Sequence, residues 1–138
     1  KLGLSIFNIK LTNPKLKLSF MNYSNKYLVF KTIATATTMG TSYLVSASDI
    51  LTVTLAGTDK VSIFYNTNTV VRLTLNANLK VADETVVDYL TQQIINLLNS
   101  QETTLSIPTT FPGIFNTTGH PVALAGVSVC TPPAVACP

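Results

Sequence analysis

The sequence predicts an all-β protein, a β-sandwich of Ig-like or jelly-roll-like type, with one amphipathic helix at about 83–99. Three observations predict it. Short runs rich in β-branched and aromatic residues are punctuated by Asn, Gly, Asp and Pro at the spacing of a sandwich or barrel. Hydrophobic residues make up 46% of the 138 residues and charged residues only 11%, the reverse of a disordered chain. Apolar residues recur at helical spacing in one stretch. There is no heptad pattern, no collagen repeat and no apolar run long enough to span a bilayer as a helix.

The elements follow in order. Leu2-Gly3-Leu4-Ser5-Ile6 alternates apolar with small or polar residues, and Phe7-Asn8-Ile9-Lys10-Leu11 does so in the opposite phase. A phase change of one residue turns every side chain to the other face. Either a bulge lies at Ile6-Phe7, or two pieces of strand serve two surfaces. The chain therefore divides into residues 1–11, an apolar strand that can be donated to a neighbouring subunit, and residues 12–138, a single sandwich domain with a Pro-rich C-terminal segment. Asn13-Pro14 breaks the strand. Lys15–Met21 is a strand with Leu16, Leu18 and Phe20 inward and Lys15, Lys17 and Ser19 outward. Asn22–Asn25 turns into a strand over Tyr27–Ile33, and Thr35–Thr41 is a Thr-rich loop or edge. Tyr43–Val45, Ile50–Leu55 and Val61–Tyr65 are strands, the last two joined by a Gly57-Thr58-Asp59 turn. Asn66-Thr67-Asn68 turns into a strand over Val70–Leu75, and a continuation to Val81 is left open.

Asp83 is the expected N-cap of the helix, with Glu84 and Asp88 near the positive end of its dipole. Val86, Leu90, Ile94 and Leu97/Leu98 form its apolar stripe, and it is expected to plug one end or face of the sandwich. After Glu102 there is no Asp, Glu, Lys or Arg, and six of the seven prolines fall in this segment. Thr103–Ile107 and Val122–Val129 remain candidate strands, and the tail is expected to lie along the body as a rigid, hydrogen-bonded cover.

Surface polarity comes from hydroxyls and amides: 21 Thr, 10 Ser and 11 Asn. Cytosolic proteins usually stay soluble through charge, so this balance points to a secreted, glycosylated or assembled protein. Charge is also unevenly placed. Lys1, Lys10, Lys15, Lys17, Lys26 and Lys31 give the first 31 residues +6 with no acid. Lys60, Arg72 and Lys80 against Asp49, Asp59, Asp83, Glu84, Asp88 and Glu102 give the rest −3. A head of one sign steers onto a body of the other in a second copy, although a solvated strand face accounts for Lys15 and Lys17 equally well. The lysines are not clustered with Arg or stacking aromatics, which argues against nucleic acid.

The inventory for catalysis is poor, and no enzyme is expected. His120, the only histidine, lies between Gly119 and Pro121, where a turn is expected. No G-x-S-x-G elbow, Walker A or G-x-G-x-x-G sequence occurs. Cys130 and Cys137 do not match a zinc spacing, and the acids are too scattered for a calcium loop. No cofactor, metal or small-molecule substrate is expected. Cys130 and Cys137 bracket a Pro-stiffened loop and can reach disulfide distance, which implies an oxidising compartment or a hyperthermophile. Asn22-Tyr23-Ser24 and Asn116-Thr117-Thr118 are N-glycosylation sequons in predicted loops.

Together these features predict an extracellular, cell-surface protein whose partners are copies of itself. Leu2, Leu4 and Ile6 complete a neighbour's sheet while Phe7 and Ile9 join the subunit's own, and the head-to-tail contact repeats into an open filament. In the run Lys1–Leu11, the Thr/Asn-rich low-charge body, the sequons and the C-terminal Cys pair, the sequence resembles the secreted β-sandwich subunits of archaeal threads and bundling pili. That resemblance implies a glycosylated filament used for adhesion or cell–cell contact, through a surface glycan or another cell-surface partner. Ile9-Lys10-Leu11-Thr12-Asn13-Pro14, followed by strands, a late helix and closing strands, is similar to late-embryogenesis and water-stress β-sandwich domains. A viral capsid or virion appendage protein needs the same stable, uncharged, interlocked fold.

Overall fold

In the computed structural model, which describes residues 25–138, the elements run β1 (Tyr27–Lys31), β2 (Ser42–Ser46), β3 (Ile50–Gly57), β4 (Lys60–Tyr65), β5 (Val70–Leu75), α1 (Thr85–Leu98), β6 (Thr104–Ile107), β7 (Thr110–Phe115) and β8 (Pro121–Cys130). The predicted strands over 1–11 and Lys15–Met21 and the sequon at Asn22 lie outside the described residues. Two sheets form, of order β2-β1-β6 and β3-β4-β5-β8-β7. The fold is all-β and sandwich-like with one helix.

The inner faces follow from register. In the three-stranded sheet Leu28 stands opposite Val45 and Leu105, and Phe30 opposite Tyr43 and Ile107. Leu28 and Phe30 are fully buried. In the five-stranded sheet Val53 faces Ile63, Ile63 faces Val71, and Val61 faces Leu73. These residues form one core. β1 and β6 are parallel, so a crossover must join them, and the intervening chain includes α1.

The two sheets differ in width. With strands about 4.8 Å apart, three strands span about 10 Å and five about 19 Å. α1 packs against β6 of the smaller sheet and against β3 and β7, the two terminal strands of the larger one. Its buried residues are Val86, Val87, Leu90, Ile94 and Leu97, and Tyr89 meets Phe111 edge-on with ring centroids 6.0 Å apart. At another junction the sheets meet directly, where the Ile33 N–H donates to the Leu124 carbonyl at 2.9 Å.

Several sequence expectations are corrected. β5 covers the expected Val70–Leu75; the optional continuation to Val81 is absent because the chain turns back: the Asn76 N–H donates to the Ala123 carbonyl and the Leu79 N–H to that of Thr58. Asp83 is not the N-cap; Glu84 holds that position without a side-chain bond. The Asp83 carboxylate instead accepts from the Thr85 N–H at 3.1 Å and the Thr85 hydroxyl at 2.8 Å, and the N-cap falls one residue later than expected. β7 carries Pro112 and Gly113, composition that argues against a strand. It is an edge strand of irregular register, the one setting where a missing N–H costs no ladder bond, and Gly113 takes a left-handed φ of 71°.

Lys26 belongs to the basic head in the sequence but not to its surface. It is 9% exposed, and its Nζ donates to the carbonyls of Leu97 at 3.1 Å and Ser100 at 2.5 Å. These oxygens lie at the C-terminal end of α1, where carbonyls lack intrahelical partners and the dipole favours a cation. A lysine 71 residues away from Leu97 thus caps the helix. Lys26→Met keeps the apolar stem and removes both bonds. We expect a loss of about 1–3 kcal/mol, read as a lower urea midpoint at unchanged m-value.

Tyr65 ties β4 to β2 through its hydroxyl, which donates to the Ser46 carbonyl at 2.5 Å. Burial pushes its ionisation up to about 12 from the usual 10, and Tyr89 is raised for the same reason. The unfolded chain therefore releases the Tyr65 proton first as pH rises. Stability from this residue is intact below pH 10 and is lost between pH 10 and about 12. Tyr65→Phe should cost about 0.5–1.5 kcal/mol at neutral pH and flatten the alkaline decline. Urea melts from pH 7 to 12 check both effects.

Candidate functional site

Three features of the described surface can bear function: the turn that carries the second sequon, the disulfide-closed tail, and the open sheet edges with the groove beside one of them. The turn joins β7 to β8. Asn116 donates its N–H to the His120 carbonyl at 2.8 Å, and the Gly119 N–H returns to the Asn116 carbonyl at 3.1 Å. Gly119 has a φ of 82°, a left-handed conformation that glycine adopts without a Cβ penalty. The Asn116 side chain organises the rest. Its Oδ1 accepts from the Thr118 N–H, the Thr118 hydroxyl and the His120 N–H, each at 2.9 Å.

This arrangement leaves Asn116 Nδ2 with no hydrogen-bond partner among the described residues, and Nδ2 is the atom that an N-linked glycan takes. The amide oxygen is held by the hydroxyl of the sequon's own third residue. An open depression of about 590 Å³ lies against the turn, bordered by Lys80, Asp83, Thr85, Phe115, Asn116 and Gly119.

His120 sits in the expected turn and is exposed. Its Nδ1 lies 2.9 Å from the Thr118 hydroxyl. This contact ties the ring to the turn. Among the described residues no group of three or more His, Cys, Asp or Glu could hold a metal ion, and no helix is long and apolar enough to cross a membrane.

Cys130 and Cys137 are bonded, their Cα atoms 5.2 Å apart. Between them Thr131 and Val135 exchange main-chain bonds of 2.9 and 3.0 Å. The tail lies on the outer face of the five-stranded sheet. Arg72 donates from Nη1 to the main-chain oxygen of Pro138 at 2.8 Å and from Nε to the Ser62 hydroxyl at 2.7 Å. Asn68 Nδ2 donates to the Pro132 carbonyl. Ser62, Val70 and Cys130 are consequently buried on a face that would otherwise meet water. This is the hydrogen-bonded cover expected from the prolines.

Among the described residues β2, β6, β3 and β7 each end a sheet. The outer face of the smaller sheet presents Leu44, 70% exposed, beside Val29 and Tyr27. Along β3 runs an apolar groove of about 270 Å³, floored by Val53 and Ile94 and rimmed by Ile50, Leu51, Ile95 and Leu98. The sequence reading placed Leu98 in the helix core and did not single out Leu51 or Ile95. The signal was available in part, since Thr91, Ile95 and Leu98 repeat at helical spacing beside the buried stripe. The irregular pairing around Leu51 was not. The predicted interface residues Leu2, Leu4, Ile6, Phe7 and Ile9, and the first sequon at Asn22, lie outside the described residues. The structure brings Cys130 and Cys137 together and sets Asn116 apart from them, on a different turn.

Glycopeptide mass spectrometry of native material should find carbohydrate on Asn116. Thr118→Ala should abolish it and Thr118→Ser preserve it. Unmodified Asn116 in native protein would refute the assignment.

No family model, no curated protein and no solved structure matches this chain.

Proposed function

We propose that the protein is a structural subunit of an extracellular filament, a pilus or thread, that polymerises head-to-tail by strand donation and serves adhesion or cell–cell contact. The observation that carries this reading is the incomplete smaller sheet. It has three strands against five, and its outer strands β2 and β6 have no strand partner on their free sides among the described residues. Free main-chain donors and acceptors on such an edge are a template for a further strand. The sequence offers one, since Leu2-Gly3-Leu4-Ser5-Ile6 has the alternation of a strand that buries one face. Added to a neighbour's edge, it makes a heterologous contact that repeats without closing.

Other features support the same reading. The disulfide and the expected glycan at Asn116 suit an oxidising exterior. The body is rich in Thr and Asn and poor in charge, and the five lysines of the head other than the buried Lys26 oppose the −3 remainder of another copy. The role needs no catalytic group, cofactor or metal; the partners are copies of the chain and a cell-surface glycan or protein at the target.

Deleting residues 1–6 should leave a folded chain that no longer polymerises, by size-exclusion chromatography and negative-stain microscopy. A synthetic Lys1–Leu11 peptide should raise its melting temperature, because it binds only the folded state. Leu4→Asp should act like the deletion, since a buried unpaired carboxylate is costly. A truncated chain that polymerises normally would overturn strand donation. A full chain that stays monomeric would favour the stress-type sandwich, and icosahedral particles in native material would favour a virion protein.

A further inference from the structure

The groove between β3 and α1 needs an occupant. Its rim residues Leu51, Ile95 and Leu98 are 68%, 45% and 45% exposed, and β3 is the longer of the two terminal strands of its sheet. A long apolar edge left bare is an aggregation hazard.

The path of the chain indicates what covers it. Lys26 is fixed at one end of the groove. Its Nζ binds the carbonyls of Leu97 and Ser100, next to the rim residue Leu98. Its own carbonyl accepts from the Ala47 N–H at 2.8 Å, three residues before Ile50. Lys26, and with it the attachment point of the preceding chain, therefore stands at the mouth of the groove. A link over residues 22–25 reaches about 13 Å, and the segment immediately beyond it is Lys15-Leu16-Lys17-Leu18-Ser19-Phe20-Met21.

Direction and charge agree with that segment. Ile50–Val53 line the groove with Thr91–Leu98, whereas Leu55 and Gly57 lie by Val81 and Ala82, just before the helix. β3 thus runs from the C-terminal end of α1 towards its N-terminal end. A chain traced back from Asn25 along the groove follows the same course, so residues 15–21, read forwards, run antiparallel to β3. On α1 the positions Asp88, Thr91, Ile95 and Leu98 share one stripe. Its apolar half lies near the mouth and its carboxylate at the far end, a placement that suits a segment with Lys15 and Lys17 at its start.

We propose that residues 15–21 add to β3 of their own chain as an antiparallel edge strand, with Leu16, Leu18 and Phe20 filling the β3–α1 groove. The assignment is independent of the filament reading. It confines any donated segment to the residues before Asn13-Pro14, and it gives the strongest strand signal in the basic head a place in the subunit itself.

The test uses the full chain with a photo-crosslinking benzoylphenylalanine at position 18, in a one-to-one mixture of unlabelled and ¹⁵N-labelled protein. The expected cross-links join position 18 to residues 50–53 or 94–98 within chains of a single isotope composition. The same probe at position 19, on the opposite face of the strand, should not reach the groove. Mixed-isotope links would overturn the assignment in favour of a neighbour's strand, and links elsewhere, or none, would overturn it outright. Leu18→Asp and Ile95→Asp should each speed amide hydrogen exchange in β3 at least tenfold while leaving the β4–β5 ladder unchanged; unchanged β3 exchange also counts against it. Deleting residues 1–6 leaves the position-18 link in place, so failure of strand donation and failure of this assignment are read separately.

Discussion

The structure depends on a mismatch of widths. A three-stranded sheet cannot cover a five-stranded one, and the uncovered strip of inner face would expose Val53, Ile63 and their neighbours to water. α1 completes the core instead, its apolar residues packing against β6 of the smaller sheet and against β3 and β7, the two terminal strands of the larger one. Burying its five core side chains, at roughly 1.5–3 kcal/mol each, is what holds the crossover between the parallel strands β1 and β6. The helix is short and ends without a basic residue in its last turn. Its terminal carbonyls are met by Lys26, which also adjoins β1 and β2. One ammonium group thereby joins the helix, the smaller sheet and the start of the described chain.

The larger sheet solves its second problem differently. Its outer face carries Ser62, Val70, Arg72 and Cys130, and a second layer of helices is absent among the described residues. The disulfide-closed tail takes that place. The loop between the cysteines is short, so in the loop-entropy account the bond contributes about 2 kcal/mol; its larger effect is to hold residues 131–138 where Arg72 and Asn68 can bind them. Charge is scarce, and the few charged groups do structural work: Lys26 caps α1, Arg72 anchors the tail and Asp83 orders the first turn of the helix. Salt should therefore affect the fold little, because these contacts are to main-chain and hydroxyl groups and not between exposed ions.

Strand addition unites the two proposals. Each concerns an open edge and an alternating segment in the basic head. In the second proposal the local segment Lys15–Met21 serves the subunit, since a short link would bring it to β3 at little entropic cost; in the first, the distal segment Leu2–Ile6, which precedes Asn13-Pro14 in the sequence, serves a neighbour. The phase change at Ile6-Phe7 suits a chain that passes from one sheet to another.

Much of the fold was legible in the sequence. Alternation and turn residues located β1 to β6 and β8 within a few residues, and the 3.6-residue period located α1, because these are local patterns that burial imposes on any such element. The pairing of Cys130 with Cys137 followed from their nearness and the stiff prolines. The Asn116 sequon was legible as a motif, and its turn placement from the glycine that follows. Tertiary structure alone decided the rest. β7 was hidden because Pro112 and Gly113 are tolerated only at an edge, and edge position is a property of the assembled sheet. Lys26 read as one more surface lysine because its partners lie 71 and 74 residues away. The β3–α1 groove was invisible because Leu51, Ile95 and Leu98 become neighbours only when strand and helix pack. Residue types and periodicity determine which side chains are buried; which elements they meet depends on how two sheets of unequal width share one core.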